Sequence, residues 1–330
     1  MPISPSALIA RYEADFASQL PLIRDGNSEA IHQGRVATRR LREGLRLLNQ
    51  DKDGHVQQAL ETARMAGRTL GPVRELDVLA DVLRRFELRV PAAAAGAATV
   101  AAALRNEQRD ARKRMIKSLD RIDLSTLHVD DPHRLRPWVA PRHAGWRDRL
   151  IARIQRLGSS LEDELAHASG VYLPNRSHRL RVVVKKLRYA VEAAADTGTW
   201  HAPAALRVLR RAQSRLGDLH DLHVAHGRMT PIGIDARVRD HVTMLRDVIA
   251  AELDRRQQSL LGLRAELIAA AHTCQHLAAL RRREMWATRR ERILLAAAAL
   301  PGIAALSAAL SRGGARGPAS PRTAHAALTR

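Results

Sequence analysis

Two short motifs each occur twice along the chain, and both return after the same interval. The first starts at His32 and again at His178, and the second starts at Leu70 and again at Leu216, in each case 146 residues later. A pair of motifs held at one spacing predicts a duplicated structural unit. Each repeat has the length of one small domain. We therefore expect two related helical bundles with pseudo-twofold symmetry.

The first motif places basic side chains on one face of a predicted helix. Its basic residues recur at steps of three and four, the spacing that stacks side chains on one helical face. They are His32, Arg35, Arg39, Arg42 and Arg46, which we call the first cationic row. Ile31, Leu41 and Leu45 fall roughly opposite and are expected to pack inward. Like charges at this spacing repel one another, so the row must face water or an anion.

The second copy of the motif repeats this chemistry. Its basic residues form the second cationic row: His178, Arg181, Lys185, Lys186 and Arg188, which correspond to His32, Arg35, Arg39, Arg40 and Arg42. Residues 216–224 likewise repeat residues 70–78, with His220 in the place of Arg74. A pseudo-twofold axis would turn the two rows toward each other. Charges of one sign that line a shared cleft attract counter-ions, so we expect a basic central cleft.

The composition favours a helical protein with a polyanionic partner. The chain has 330 residues, of which 45% are hydrophobic, and its formal net charge is +21. Ala and Leu dominate the apolar residues, and strand-forming residues are not concentrated anywhere, so we predict an all-α fold. The charge indicates a nucleic acid, an anionic membrane or another phosphate polymer as the partner.

A nucleic-acid-binding basic helical protein is the main alternative within that class. Aromatic residues make up only 3% of the chain, which is a poor composition for a protein that stacks single-stranded bases. The sequence also lacks a helix-turn-helix or basic-zipper signature. Nucleic acid is therefore a secondary candidate for the partner.

The sequence gives little support to an enzyme or a metal site. It contains no Gly-rich phosphate loop, nucleophile elbow or zinc-protease motif. The acidic residues of the second motif are interpreted as helix caps and ion-pair partners: Glu75, Asp77, Asp218 and Asp221. His220, His223 and His226 recur at steps of three, which drift off one helical face. We predict no catalytic residue, no cofactor and no bound metal.

The C-terminal part differs from the rest of the chain. Residues 293–310 carry no charge and are interpreted as a helix docked on the body or as a loose extension, without firm membrane association. The single cysteine, Cys274, excludes an intrachain disulfide framework and a thiolate zinc cluster. No secretory signal is recognisable at the N-terminus, which predicts a cytoplasmic protein.

The duplicated motifs resemble those of the CHAD family, the conserved histidine α-helical domain. The family pattern is similar to His-x-x-Arg-x-x-x-Arg/Lys-Arg/Lys-x-Arg followed by Leu-Gly-x-x-Arg-Asp-x-Asp-Val, given twice. Arg74 and Asp77 fit this pattern, whereas Glu75 replaces the commoner Asp. The resemblance implies two helical bundles around a basic surface that binds inorganic polyphosphate, with association to polyphosphate granules. The Glu-x-Glu-x-Lys strand of the CYTH domain, a frequent fusion partner, is missing, so a stand-alone module is expected.

Together these observations predict a non-enzymatic polyphosphate-binding protein. The predicted halves span residues 6–122 and 144–275, joined by a connector at 123–143 and followed by a basic, Ala-rich extension at 276–330. The predicted polyphosphate-binding residues are His32, Arg35, Arg39, Arg40, Arg42, Arg46, Arg74, His178, Arg181, Lys185, Lys186, Arg188 and His220. The oligomeric state stays open.

Overall fold

A computed structural model describes residues 3–48, 54–127, 145–167, 174–229 and 236–313 of the chain. Throughout these ranges the regular structure is helical, which confirms the all-α prediction. The helices are α1 (Pro5–Arg24), α2 (Ser28–Leu48), α3 (Gly54–Thr69), α4 (Gly71–Arg89), α5 (Pro91–Leu119), a short 3₁₀-helix (Leu124–Leu127), α6 (Trp146–His167), α7 (Pro174–Asp196), α8 (Pro203–Arg228), α9 (Ala236–Leu261) and α10 (Arg264–Gly313).

Local sequence signals start several of these helices. Pro occupies the first turn of α1, α4, α5 and α8, where its missing N–H is not needed for helical hydrogen bonding. Ser4 caps α1 by accepting a hydrogen bond from the Ala7 N–H at 3.1 Å. Asn27 caps α2 in the same way, accepting from the Ala30 N–H at 2.9 Å.

Two helix boundaries differ from the sequence-based expectation. The sequence predicts a break at Gly217 between helices over 203–216 and 218–229, but α8 continues through this glycine. The first half breaks at the equivalent place because Pro72 cannot donate a backbone hydrogen bond, whereas Asp218 can. Conversely, helical periodicity predicts a single helix over about 235–273, whereas the chain turns at Gly262 between α9 and α10.

Helices that follow one another pack in pairs. Contacts join α1 to α2, α2 to α3, α4 to α5, α6 to α7, α7 to α8 and α8 to α9. Further contacts bring together elements that are distant in sequence, namely α2 with α6 and α7, α4 with α8, and α5 with α9. The basic face of α2 is thereby placed next to helices from the second half of the chain.

The described contacts divide the chain into two compact units, Met1–Ala279 and Leu280–Arg330. The predicted bundle boundaries at 122 and 144 stay predictions, and most of the connector at 123–143 lies outside the described residues. Residues 314–330 at the end of the predicted extension also lie outside them. Within the part of the chain that the structure describes, no helix is both long enough and apolar enough to cross a membrane.

The contact between α5 and α9 depends on Gly96. A Cβ atom at this position would lie 2.2 Å from the His241 carbonyl oxygen and 3.0 Å from the Leu245 Cβ. The nearest obstacle is backbone, so a change of side-chain rotamer cannot relieve the clash. The absence of a side chain at Gly96 therefore sets the distance between these two helices.

We expect Gly96→Ala to lower the free energy of unfolding by about 1–3 kcal/mol, because α5 and α9 must separate. Urea denaturation followed by circular dichroism at 222 nm measures the change. Gly217→Ala is the control, since Gly217 lies inside α8 with no neighbouring atom within 4 Å. It should gain about 0.5–1 kcal/mol from helix propensity alone. Equal effects of the two substitutions would contradict the close approach.

Candidate functional site

The α2 helix separates an apolar face from a basic one. Ile31, Leu41 and Leu45 are fully buried, as their spacing predicted. The five residues of the first cationic row are half-buried on the other side of the helix. Partial burial matters because a cation that is partly removed from water interacts more strongly with neighbouring charges and with any bound anion.

The α7 helix has the same construction. Leu180, Val184 and Leu187 are buried and hold the helix against its neighbours. Most of the second cationic row is half-buried, the exception being His178, which is exposed. Both rows are therefore fixed by apolar contacts on the opposite faces of their helices, while the basic face of each row retains access to solvent.

Charges of the first row act directly on Lys185 in the second. Burial, together with neighbouring positive charges that act in the same direction, lowers the pKa of Lys185 to about 8. Those charges are Arg39, Arg181, Arg42 and Arg35, so three of the four come from the first row. Repulsion of this kind requires proximity, so the structure brings Lys185 together with the middle of the first row.

Arg35 and Arg181 are affected in the same way. Burial, together with the charges of Arg39, Arg74 and Arg181, lowers the pKa of Arg35 to about 10. Burial also lowers the pKa of Arg181, with Asp221 opposing the shift and Arg39 contributing to it. Arg74, predicted from the second motif, therefore lies near the first row. A guanidinium keeps its proton at neutral pH even after such a shift, so these residues remain cationic.

Gly71 makes room for the Arg35 side chain. A Cβ atom on Gly71 would lie 3.0 Å from Arg35 Nη1, which is tighter than an ordinary contact. The Arg35 guanidinium can therefore lie against the start of α4. Its counterpart in the second half, Gly217, has no atom within 4 Å of the same position. The Leu-Gly part of the motif thus has a steric role in the first half only.

Two of the predicted binding histidines, His32 and His220, are poor cations at neutral pH. Burial and the nearby Arg181, His178 and Lys185 lower the pKa of His220 to about 4. Burial and Arg74 lower the pKa of His32 as well. The rings of His178 and His220 are adjacent, with centroids 5.9 Å apart. The neutral ring of His32 can still donate or accept a hydrogen bond.

Three predicted binding residues already have carboxylate partners. Arg46 Nη1 donates to Glu43 Oε1 at 2.6 Å, and Arg188 Nη1 donates to Glu192 Oε1 at 2.8 Å. Arg40 Nη2 lies 4.0 Å from the other Glu192 oxygen. Both carboxylates are nearly buried, with side-chain exposures of 12% for Glu43 and 10% for Glu192.

Sequence reasoning missed these two glutamates and the arginines that complete their networks. Glu192 also accepts from Arg210, and Glu43 accepts from Arg153 of α6. Glu192 follows Arg188 by four residues on the same helix, so helical spacing alone could have predicted this ion pair. The pairing of Arg153 with Glu43 could not be predicted in this way, because the two residues are distant in sequence.

The other arginines and lysines of the two rows have no such partner. Within the described ranges, no ion pair to a carboxylate is formed by Arg35, Arg39, Arg42, Arg181, Lys185 or Lys186. Two buried donor atoms among them, Arg35 Nη1 and Arg42 Nε, lack a hydrogen-bond partner. An unpaired buried donor is unfavourable by about 1–3 kcal/mol, and a bound acceptor would remove that penalty.

The acidic residues of the second motif take structural positions. Asp77 is buried and accepts from Arg112 at 2.6 Å, while Asp218 accepts from Arg256 at 3.1 Å. Burial raises the pKa of Asp221, and Arg181 opposes that shift. Among the residues that the structure describes, no group of three His, Cys, Asp or Glu side chains is arranged to hold a metal ion.

Comparison with known proteins identifies the family. The sequence profile of the CHAD domain matches residues 7–230, which is well over half of the chain. The chain belongs to the CHAD family. This family is linked to polyphosphate binding, and no CYTH domain is evident. No curated protein matches the chain.

One solved structure supports the CHAD fold. The crystal structure of the CHAD domain from the plant Ricinus communis is 22% identical, with a TM-score of 0.59 over 79% of this chain and 89% of that one. PptA from Streptomyces chartreusis is 18% identical, with a TM-score of 0.48 over 78% of this chain and 97% of that one. At these identities the first likeness concerns the fold alone.

The charge on Lys185 should destabilise the unliganded protein. Its pKa of about 8 in the folded state lies below the ordinary value of 10.5, so the unfolded chain binds more protons between these two values. We expect Lys185→Met to raise the free energy of unfolding by about 1–2 kcal/mol at pH 7. The wild type gains stability as the pH rises from about 8 to 10.5, so the difference should shrink across that window.

Urea denaturation at pH 7 and at pH 10 measures both parts of this prediction. Lys113→Met is the control, because Lys113 is exposed on α5 and its replacement should change stability by less than about 0.5 kcal/mol. A Lys185→Met variant that is less stable than the wild type at pH 7 would contradict the repulsion between the rows.

Proposed function

We propose that this CHAD protein binds inorganic polyphosphate between its two cationic rows. The observation that carries the proposal is the proximity of Lys185 on α7 to Arg39, Arg42 and Arg35 on α2, whose positive charges help to lower its pKa. In the described part of the chain these cations form no ion pair with a carboxylate, although Glu75 lies near enough to Arg35 to oppose the lowering of its pKa. An external anion is therefore proposed as their main counter-charge. The link between the CHAD family and polyphosphate supports this choice of anion.

The rows are proposed to line a basic cleft between two duplicated halves. The interval of 146 residues relates α2 to α7, α4 to part of α8, and α5 to α9. Each of these pairs is in contact, which is the arrangement expected around a pseudo-twofold axis. A linear chain of phosphates that follows this axis would meet cations from both halves.

Different members of the predicted set are proposed to have different roles. Arginine forks match pairs of phosphate oxygens, and the lysine ammonium groups act as point charges. The residues proposed to contact phosphate are Arg35, Arg39, Arg42, Arg74, Arg181, Lys185 and Lys186. Arg40, Arg46 and Arg188 are proposed to be positioned by Glu192 and Glu43, and His32, His178 and His220 to supply hydrogen bonds.

Binding is proposed to occur without turnover of the polymer. Release of phosphate from polyphosphate by the pure protein, with Mg²⁺ or Mn²⁺ present, would overturn this part of the proposal. Association with polyphosphate granules is a further part, which fluorescence microscopy of a tagged protein in granule-forming cells tests. A diffuse signal that stays unchanged when granules form would contradict it.

Charge reversal at the cleft should abolish binding. We expect the quadruple variant Arg35→Glu, Arg39→Glu, Arg181→Glu and Lys185→Glu to lower affinity for defined-length polyphosphate by at least about 100-fold. The physical reason is that four attractive interactions become repulsive. Isothermal titration calorimetry at several salt concentrations measures the affinity. The dependence of log K on log salt should become shallower, by about one unit for each phosphate that is no longer neutralised.

A matched variant separates the cleft from net charge. Arg105→Glu, Arg109→Glu, Arg114→Glu and Lys117→Glu change the same charges at exposed positions of α5. This control should lose less than about tenfold in affinity, because it removes only long-range attraction. Equal losses would refute a localised site. In the wild type, long-chain polyphosphate should displace duplex DNA at a lower phosphate concentration than the reverse, and the opposite order would favour nucleic acid.

Affinity should also fall as the pH rises through the pKa of Lys185. Bound phosphate favours the charged amine, so binding takes up a proton once the pH exceeds about 8. We expect affinity to be about tenfold lower at pH 9 than at pH 7. Lys185→Arg should remove most of this dependence, because a guanidinium stays charged. Lys186→Arg is the neighbouring control, and a pH profile that Lys185→Arg leaves unchanged would contradict the assignment.

A further inference from the structure

The α10 helix changes character along its length. Its first turns are packed into the protein, with Leu267, Ala271 and Cys274 buried. Beyond Ala278 the described side chains emerge into solvent, and Trp286 and Leu280 are 60% and 40% exposed. Residues from Leu280 onward form the second compact unit. The interpretation of residues 293–310 as a docked helix or a loose extension stays a prediction.

The exposed part of α10 is strongly basic. Six arginines lie between residues 281 and 292, against two glutamates. Arg281 is paired with Glu284 at 2.7 Å, and the exposed set also includes Arg282, Arg283 and Arg290. Trp286 stands among these arginines. Arginines close to an exposed tryptophan are typical of segments that bind the headgroups of an anionic bilayer.

An uncharged sequence follows directly on the basic segment. Residues 293–310 contain no Asp, Glu, Lys, Arg or His, and α10 continues through them to Gly313. At about 1.5 Å per residue this stretch is roughly 27 Å long. A long apolar stretch is unfavourable in water, and the adjoining cations would hold it at a negatively charged surface. Pro301 interrupts its backbone hydrogen bonding, which favours shallow insertion over a straight crossing.

We propose that residues 280–310 bind the surface of an anionic lipid bilayer. The arginines contact lipid phosphates, and the apolar stretch enters the boundary between headgroups and acyl chains. A polyanion such as polyphosphate would satisfy the arginines but not the apolar stretch, so lipid is the partner that fits both features. The protein would thereby hold its separate cationic rows near a membrane.

Sedimentation of the full chain with sucrose-loaded vesicles tests this proposal. Vesicles of phosphatidylcholine containing phosphatidylglycerol should bind the protein at least about tenfold more tightly than phosphatidylcholine alone. The variant Arg281→Glu, Arg282→Glu and Arg283→Glu should lose at least about tenfold in affinity for the anionic vesicles. The variant Leu294→Ser, Leu295→Ser and Leu300→Ser should lose a similar amount, because it removes the inserted surface.

The matched control reverses three exposed arginines of α5, Arg105→Glu, Arg109→Glu and Arg114→Glu, and should retain nearly full vesicle binding. If this control lost as much vesicle affinity as the α10 variants, net charge alone would explain the effect, and the proposal would be overturned. Unchanged binding of the leucine variant would also overturn it, since attraction would then be purely electrostatic. Both α10 variants should keep wild-type affinity for polyphosphate in solution, so failure of the membrane proposal is distinguishable from failure of the polyphosphate proposal.

Discussion

The repulsion among partly buried cations is the constraint on which the rest of this structure depends. Arg35, Arg181 and Lys185 are held near one another with lowered pKa values, an arrangement that destabilises the unliganded fold. Stability must come from elsewhere, and the opposite faces of the same helices supply it. Ile31 and Leu41 on α2 and Val184 on α7 are buried, each contributing about 1.5–3 kcal/mol. The apolar faces thus hold in place basic faces that would otherwise separate.

The distribution of carboxylates follows the same logic. Glu43 pairs with Arg46 of the first row, and Glu192 pairs with Arg188 of the second. Asp77 pairs with Arg112 of α5. If carboxylates also paired with Lys185 or Arg39, these positions would be more stable, but the proposed attraction for polyphosphate would be lost. Acidic residues are therefore placed where they orient side chains, and the cations without a carboxylate ion pair lie close to Lys185.

The sequence predicted what depends on local spacing. Helical periodicity identified the basic face of α2 and the buried position of Leu45. Properties that depend on distant partners were not predictable. Arg153 of α6 donates to Glu43 of α2. The low pKa of His220 results from burial and from charges on another helix. The continuity of α8 through Gly217 was missed because one glycine lowers helix propensity without removing a hydrogen bond.

The two copies of the motif are alike in sequence but unequal in chemistry. The first copy has an arginine, Arg74, where the second has His220, whose pKa is lowered to about 4 so that its ring is neutral. Gly71 lies against the Arg35 guanidinium, whereas Gly217 has no close neighbour. A phosphate chain bound between the rows would therefore meet a stronger field on the side of α2 and α4. This asymmetry would set the position at which the polymer binds most tightly. It would not require the polymer to enter from one particular end, because the repeating units of a linear polyphosphate are equivalent.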